Sequence, residues 1–265
     1  MLGAILGDIV GSCWEFLSIK NKDFELLSIN NHFTDDSLMT LAIAKSLLEC
    51  KSDYSDLGVV AIKNMQELGR KYPNAGYGGM FYDWLFNLKE PKPYNSFGNG
   101  SAMRVSPCGI VAQSVEEAKL LSRKVTEVTH NHPEGIKGAE AVAVAIFLAK
   151  SGMNQLEIKE YINKNYYPKN FTLDEIREVY TFDATCQDSV PQAIMVFVEA
   201  KDFEDTLRNA VSLGGDTDTQ AAIAGSIAEY HFGIPKDLRN KAYKYLPDDL
   251  LRILNAFESK YGFKI

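Results

Sequence analysis

Apolar residues along this chain recur mostly at helical spacing, and clear alternation bounded by turns is hard to find. In DDSLMTLAIAKSLLEC, Leu38, Leu41, Ala42, Lys45 and Leu48 fall on one helical face. GAEAVAVAIFLAKSG is apolar nearly all round and stops at Gly152, which predicts a central buried helix. SVPQAIMVFVEAKDFEDTLRNAVSLGG reads as two helices, with Asp202 placed to cap the second. DTQAAIAGSIAEYHFGIP opens on polar oxygens and stops at Gly233 and Pro235. LPDDLLRILNAFESKYG predicts a further amphipathic helix. Between these, NLKEPKPYNSFGNGSAMRVSP, residues 87–107, is rich in Pro, Gly, Asn and Ser and reads as a long loop. Long ordered loops inside a domain are often functional. There is no repeat of fixed period and no low-complexity linker, so the expectation is one compact all-α domain over residues 1–265.

Composition agrees. Over 265 residues, 46% hydrophobic and 24% charged is enough for a substantial core. The net charge of -7 argues against a broad nucleic-acid surface, because phosphate binding needs a basic face, but it permits a local anion site. Cys13, Cys50, Cys108 and Cys186 lie far apart with no CxxC pair, which fits reduced thiols in a cytoplasmic protein. MLGAILGDIV lacks a basic flank and is interrupted by Asp8, so it does not read as a signal peptide. No run reaches the length of a membrane span. A cytoplasmic monomer with no membrane partner is expected.

Two oxygen-rich clusters change the picture. FTDDS holds Thr34, Asp35, Asp36 and Ser37; GGDTDTQ holds Asp216, Thr217, Asp218 and Thr219. Each directly precedes an apolar helix, and capping accounts for part of each. Capping uses one side chain, or two in a capping box. If the two helix starts meet, four carboxylates converge, and their repulsion calls for a divalent cation. Carboxylate and hydroxyl oxygens suit Mg or Mn, and four carboxylates suffice for two ions. The Gly214-Gly215 pair permits the tight turn that would aim these oxygens inward.

Other short features leave alternatives open. Asp8 and Glu15 are seven residues apart, which on a helix puts them on one face, as solvated edge or as site. Gly98-Asn99-Gly100 has the look of a turn with positive φ, and its glycines would also let backbone approach a phosphate. Arg104 could meet an anion or hold a buried ion pair. His130 and His132 could bind zinc but lack a third ligand nearby; a polar turn before a helix accounts for them, and a helix start beside His and Asn would also suit an anion. Tyr77 and Trp84 could stack on a base, with the core the better place for Trp84.

Taken together, GAILGDIVGSCWEF, FTDDS, GYGG, SFGNGSAMRVSP, THNHPEGIKGAEA and LGGDTDTQAAIAG resemble the motifs of the ADP-ribosylglycohydrolases, in the same order, from Gly3 to Gly225. The resemblance implies an all-α fold with two Mg or Mn ions in a central cleft. It implies Thr34, Asp35 and Asp36 as ligands of one ion and Asp216 and Thr219 of the other, with Asp218 between. It makes Glu15 the family's mobile glutamate, and places the general base at Glu15, Asp35 or Asp36. Ser96, Phe97, Gly98, Asn99 and Gly100 match the loop around the diphosphate and distal ribose, with His130 near the pyrophosphate and Phe97 flanking the nucleotide. Thr185 lies where it could line the cleft. The implied reaction is hydrolysis of the bond between ADP-ribose and a modified protein or small molecule, releasing ADP-ribose, with arginine the favoured acceptor. A two-metal nucleotide phosphohydrolase and a non-catalytic ADP-ribose binder or structural protein are the alternatives.

Overall fold

The computed structural model describes residues 1–87 and 91–262. Fourteen α-helices follow one another among them. They are α1 (Leu2–Gly11), α2 (Asp35–Glu49), α3 (Leu57–Lys71), α4 (Gly79–Phe86), α5 (Ser106–Val111), α6 (Val115–Thr126) and α7 (Pro133–Lys150). Then come α8 (Gln155–Asn165), α9 (Leu173–Ile176), α10 (Cys186–Val198), α11 (Phe203–Leu213), α12 (Thr217–His231), α13 (Lys236–Ala242) and α14 (Asp248–Tyr261). The sole extended pairing among the described residues is a bridge between Gly98 and Thr185.

The helices read from the pattern of the chain form where expected. Asp202 caps α11 by accepting from the Asp205 N–H at 2.8 Å. Gly152 and Gly233 follow α7 and α12 with φ of 88° and 75°, the left-handed conformation that ends a helix cheaply only in glycine. α2 differs in one respect: Met39, Ile43, Ala44 and Leu47 are buried along with the predicted face, so this helix is enclosed rather than one-sided. Residues 87–107 are irregular up to a 3₁₀ turn at Asn99–Ser101, but the last two already belong to α5; residues 88–90 lie outside the described chain.

The centre is α12 against α1, with α7, α10 and α11 around α12. Every residue of α1 is buried. The two helices meet along a glycine stripe: a Cβ on Gly3, Gly7 or Gly11 would overlap backbone atoms of Gly225, Ala221 or Thr217 and Asp218 respectively. Because backbone touches backbone, the C-terminal end of α1 sits directly beside the first turn of α12, and Thr217 Oγ1 donates to the Gly11 carbonyl at 2.9 Å. α1 ends there. Glu15 therefore stands in the turn that follows, and the shared helical face with Asp8 does not form. The segment from Ser12 to Thr34 is pinned to α11 by cations. Lys20 Nζ donates to the Leu213 and Tyr180 carbonyls at 2.7 and 2.6 Å, and Arg208 donates to Lys22 and Phe24. All four cysteines are free thiols, and no helix among the described residues is long and apolar enough to cross a membrane.

Candidate functional site

The starts of α2 and α12 meet. Thr219 Oγ1 donates to Asp36 at 3.0 Å, joining residues 183 positions apart. At α2, Thr34 is the N-cap, accepting from the Asp36 N–H at 3.3 Å, and the Asp35 N–H is taken by the Ala75 carbonyl at 2.8 Å. At α12, the turn that delivers Asp216 runs through Gly214 and Gly215 with φ of 77° and 80°, as the glycine pair predicted. Gln220 braces that turn by donating to the Gly214 carbonyl at 3.1 Å.

Asp8 organises the first cluster from below. It is buried, and its carboxylate accepts from the Thr34 N–H at 2.9 Å, the Thr34 hydroxyl at 2.7 Å, the Ser37 N–H at 3.0 Å and the Ser37 hydroxyl. Glu15 comes in from the other side: one oxygen each from Glu15, Asp216 and Asp218 lie within 4.8 Å of one another. This is the one group of three or more metal-ligating His, Cys, Asp or Glu atoms among the described residues. The sequence placed Glu15 near the cluster but did not group it with the α12 aspartates.

Burial and mutual repulsion raise the proton affinity of Glu15, Asp35, Asp36 and Asp218. Asp35 is pushed up to about 8, first by burial and then by Asp8 and Asp216. Glu15 rises to about 7 through burial, Asp216 and Asp8. Asp36 and Asp218 move well above the ordinary range for the same reasons. Magnitudes decide what this arrangement needs. A helix N-terminus favours a nearby carboxylate by ~0.3–1 kcal/mol. Two like charges 4 Å apart repel by about 4 kcal/mol at an effective dielectric of 20. Helix dipoles therefore cannot hold four or five carboxylates together as anions; protons or cations must. The donors are all hard oxygens, which fits Mg or Mn.

These acids form the floor of a cleft of about 710 Å³, a normal size for a small-molecule site. The residues that the family resemblance assigned to the site line it: Glu15, Thr34, Asp35, Asp36, Ser96, Phe97, Gly98, Asn99, Gly100, His130, Asp216, Asp218 and Thr219, with Thr185 beside them. Two expectations change in detail. The Gly98-Asn99-Gly100 turn is a 3₁₀ turn with no positive φ. The Gly98 N–H is used by Ser96 Oγ at 3.2 Å and the Asn99 N–H by the Ala184 carbonyl at 2.8 Å. Those two N–H groups are therefore occupied, and Gly100 lines the cleft beside His130. The Asn99 side chain faces the acids instead, donating to Asp216 at 2.7 Å and to Ser189 Oγ at 3.1 Å.

The histidines separate. His132 caps α7, its Nδ1 accepting from the Glu134 N–H at 3.1 Å, which settles it as part of the polar turn. His130 is buried at the cleft wall beside Gly98 and Gly100. Arg104 is 1% exposed and lines the same wall; it donates to the Val125 carbonyl and Thr129 Oγ1 and has no ion-pair partner among the described residues, so the buried ion pair does not form. Trp84 is core, and Tyr77 packs on Phe81, the ring that reaches the cleft with Met80. Sequence reasoning missed Phe16 and Phe182 at the mouth. They stack with ring centroids 6.2 Å apart and are 81% and 50% exposed. Exposed phenylalanines on two separate loops carry no periodic signal, so pattern alone could not pair them.

A family model described as ADP-ribosylglycohydrolase matches residues 1–262. Human ADP-ribosylhydrolase ARH3 is 26% identical over an alignment covering 95% of this chain and 90% of its own. ADP-ribosylarginine hydrolase Tri1 of Pseudomonas putida is 24% identical, covering 88% of this chain and 70% of its own. A solved structure titled ADP-ribosylglycohydrolase-related protein complex superposes with a TM-score of 0.70 at 21% identity, over 99% of this chain and 97% of that one, which speaks to the fold.

Proposed function

We propose that this chain, which belongs to the ADP-ribosylglycohydrolase family, cleaves the bond between the distal ribose of ADP-ribose and a modified acceptor and releases ADP-ribose. Membership of the family makes it a hydrolase of a glycosyl bond; the metals, the acceptor and the role of each residue are the proposal. The observation that carries it is the junction of the α2 and α12 starts through Thr219 and Asp36, on the floor of a cleft walled by the Gly98–Gly100 turn.

Two divalent ions, Mg or Mn, suit this floor. Thr34, Asp35 and Asp36 would hold one, and Asp216, Asp218 and Thr219 the other, with Glu15 close enough to the α12 aspartates to share in it. When bound, such ions supply the positive charge the carboxylates lack and Lewis acidity toward ribose oxygens. The chain's own groups do the rest. The Gly98–Gly100 turn and His130 would meet the diphosphate and fix the nucleotide, with Ser96 and Phe97 along its path, since all of them line the cleft. Glycosidic cleavage passes through an oxocarbenium-like state, and carboxylates around the ribose stabilise the charge that develops there. Glu15, Asp35 and Asp36 all line the cleft, and one of them would accept the proton of the attacking water.

The acceptor we favour is arginine, and the similarity to an ADP-ribosylarginine hydrolase supports it. A monomer acting in the cytoplasm belongs to the same reading. The test is product analysis after mixing the protein and Mn or Mg with ADP-ribosylated arginine and serine peptides, with Asp35→Ala as the control. Metal-dependent release of intact ADP-ribose from the arginine peptide is the expected result. Release from serine alone would correct the acceptor. AMP or phosphate as product would replace the reading by a nucleotide phosphohydrolase, and tight binding of ADP-ribose without turnover would replace it by a binder.

A further inference from the structure

A buried cation, a threonine and a histidine form a chain that ends at the cleft. Arg104 Nη2 donates to Thr129 Oγ1 at 2.7 Å and to the Val125 carbonyl at 3.0 Å. Thr129 Oγ1 lies 2.8 Å from His130 Nδ1. The far ring nitrogen, Nε2, faces the turn, 3.5 and 3.7 Å from where a Cβ on Gly100 or Gly98 would stand.

We propose that Arg104 and Thr129 are positioning residues that fix His130 as the neutral tautomer carrying its proton on Nε2, so that it is a permanent hydrogen-bond donor into the cleft. A guanidinium only donates, so Thr129 Oγ1 must accept from Arg104. The hydroxyl then has a single proton to give. The Thr126 carbonyl lies 3.4 Å away and His130 Nδ1 2.8 Å away, so the histidine takes it. With Nδ1 accepting, the ring's own proton sits on Nε2. Electrostatics points the same way. Arg104 is fully buried, the ionisable groups around it are Tyr94, Cys108 and Cys186 rather than a carboxylate, and its Nε has no partner among the described residues. A second positive charge on the adjacent ring is disfavoured, and burial together with Arg104 moves His130 well below its ordinary pKa. Tyr94, whose ring lies 5.8 Å from His130, and the Gly98–Gly100 turn are its other neighbours on the cleft side, and neither brings a negative charge.

The consequence for recognition rests on the proposed function. A diphosphate lying against the Gly98–Gly100 turn would meet an N–H from His130 without any protonation step. Arg104, held behind the ring, would add positive potential without forming a direct ion pair that slows release. Binding of ADP-ribose would then show no dependence on a histidine titrating near neutral pH.

Tautomers are read directly by long-range ¹H–¹⁵N correlation of the ligand-free protein, labelled at histidine and with His130 assigned from the His130→Gln spectrum. The expected pattern is a neutral, Nε2-protonated ring that persists between about pH 5.5 and about pH 8. Thr129→Val should release the ring into a mixture of tautomers and weaken ADP-ribose, measured calorimetrically, by about tenfold, the weight of one hydrogen bond to a charged group. Thr129→Ser, which keeps the hydroxyl, should restore both. An Nδ1-protonated or doubly protonated His130 in the wild type overturns the proposal, as does an unchanged tautomer in Thr129→Val. The spectrum needs no ligand. An Nε2 tautomer with no affinity for ADP-ribose would therefore refute the functional reading and leave the Arg104–Thr129–His130 chain standing.

Discussion

Asp8 shows how one residue can decide a site it does not enter. Two backbone N–H groups and two hydroxyls converge on its carboxylate, and all of them belong to Thr34 and Ser37. Removing the acceptor strands buried donors, each at about 1–3 kcal/mol. Asp8→Ala should therefore unfold the α2 start and lower stability by several of these units, which chemical denaturation will measure. Asp8→Asn should cost less. Its oxygen can keep the three donors on one side, while the Thr34 hydroxyl turns to accept from the new NH₂. Equal loss in the two variants would mean that charge, not hydrogen bonding, is what Asp8 provides. Asp218 tests the opposite case. Asp218→Asn keeps an oxygen for the Thr219 N–H, now accepted at 2.9 Å, and removes one charge from a repelling group. The chelated variant should melt at or above the wild type. Added Mn should then fail to raise its melting temperature, although for a bound ion at 100 times its Kd the gain is about 2.7 kcal/mol. A normal Mn response in this variant would remove Asp218 from the ligand set.

At the scale of elements, the glycine stripe of α1 is what brings the two clusters within reach. At Gly7 and Gly11 the obstacle to a Cβ is backbone on α12, which cannot rotate out of the way. Overpacking of this kind costs ~1–3 kcal/mol. Gly7→Ala, in mid-helix, should lower stability with little effect on metal affinity in the fraction that stays folded. Gly11→Ala presses on Thr217 and the Asp218 Cα, and so should also loosen metal binding, read as a weaker Mn-dependent shift. If both variants lose only stability, the first turn of α12 is held by other contacts. Caps, stops and apolar faces are local, so Asp202, Gly152 and the Gly214-Gly215 turn could be read directly. So could the cleft-lining motifs, because each sits at a helix start or a loop of recognisable composition. The Asn99–Asp216 bond and the Thr129–His130–Arg104 chain depend on how helices dock, and residues 117 positions apart leave no periodic trace of that. Glu15 shows the same limit: the spacing from Asp8 suggested one helix, but α1 ends at Gly11, where close packing on α12 turns the chain.

For the molecule as a whole, the cluster couples folding to pH in a direction opposite to the usual one. Asp35 rises from 3.8 to about 8 and Glu15 from 4.5 to about 7. Over that span the folded chain binds more protons than the unfolded chain, so stability is greatest at low pH and is lost as pH rises through the folded values. His130 works against this trend in acid, because the unfolded histidine takes up a proton below its ordinary 6.5 while the folded one does not. Above 6.5 its contribution is flat, and the carboxyls are left to act alone. The metal-free protein, held in a chelator, should therefore lose melting temperature between pH 6.5 and about 8, and Asp35→Asn should flatten that slope. Saturating Mn should cancel or reverse it, because cations compete with protons for the same oxygens and win as pH rises. A chelated protein whose melting temperature is level or rising over this interval would mean that the carboxylates of α2 and α12 do not share one desolvated floor. The junction through Thr219 and Asp36, on which the functional reading rests, would fall with it.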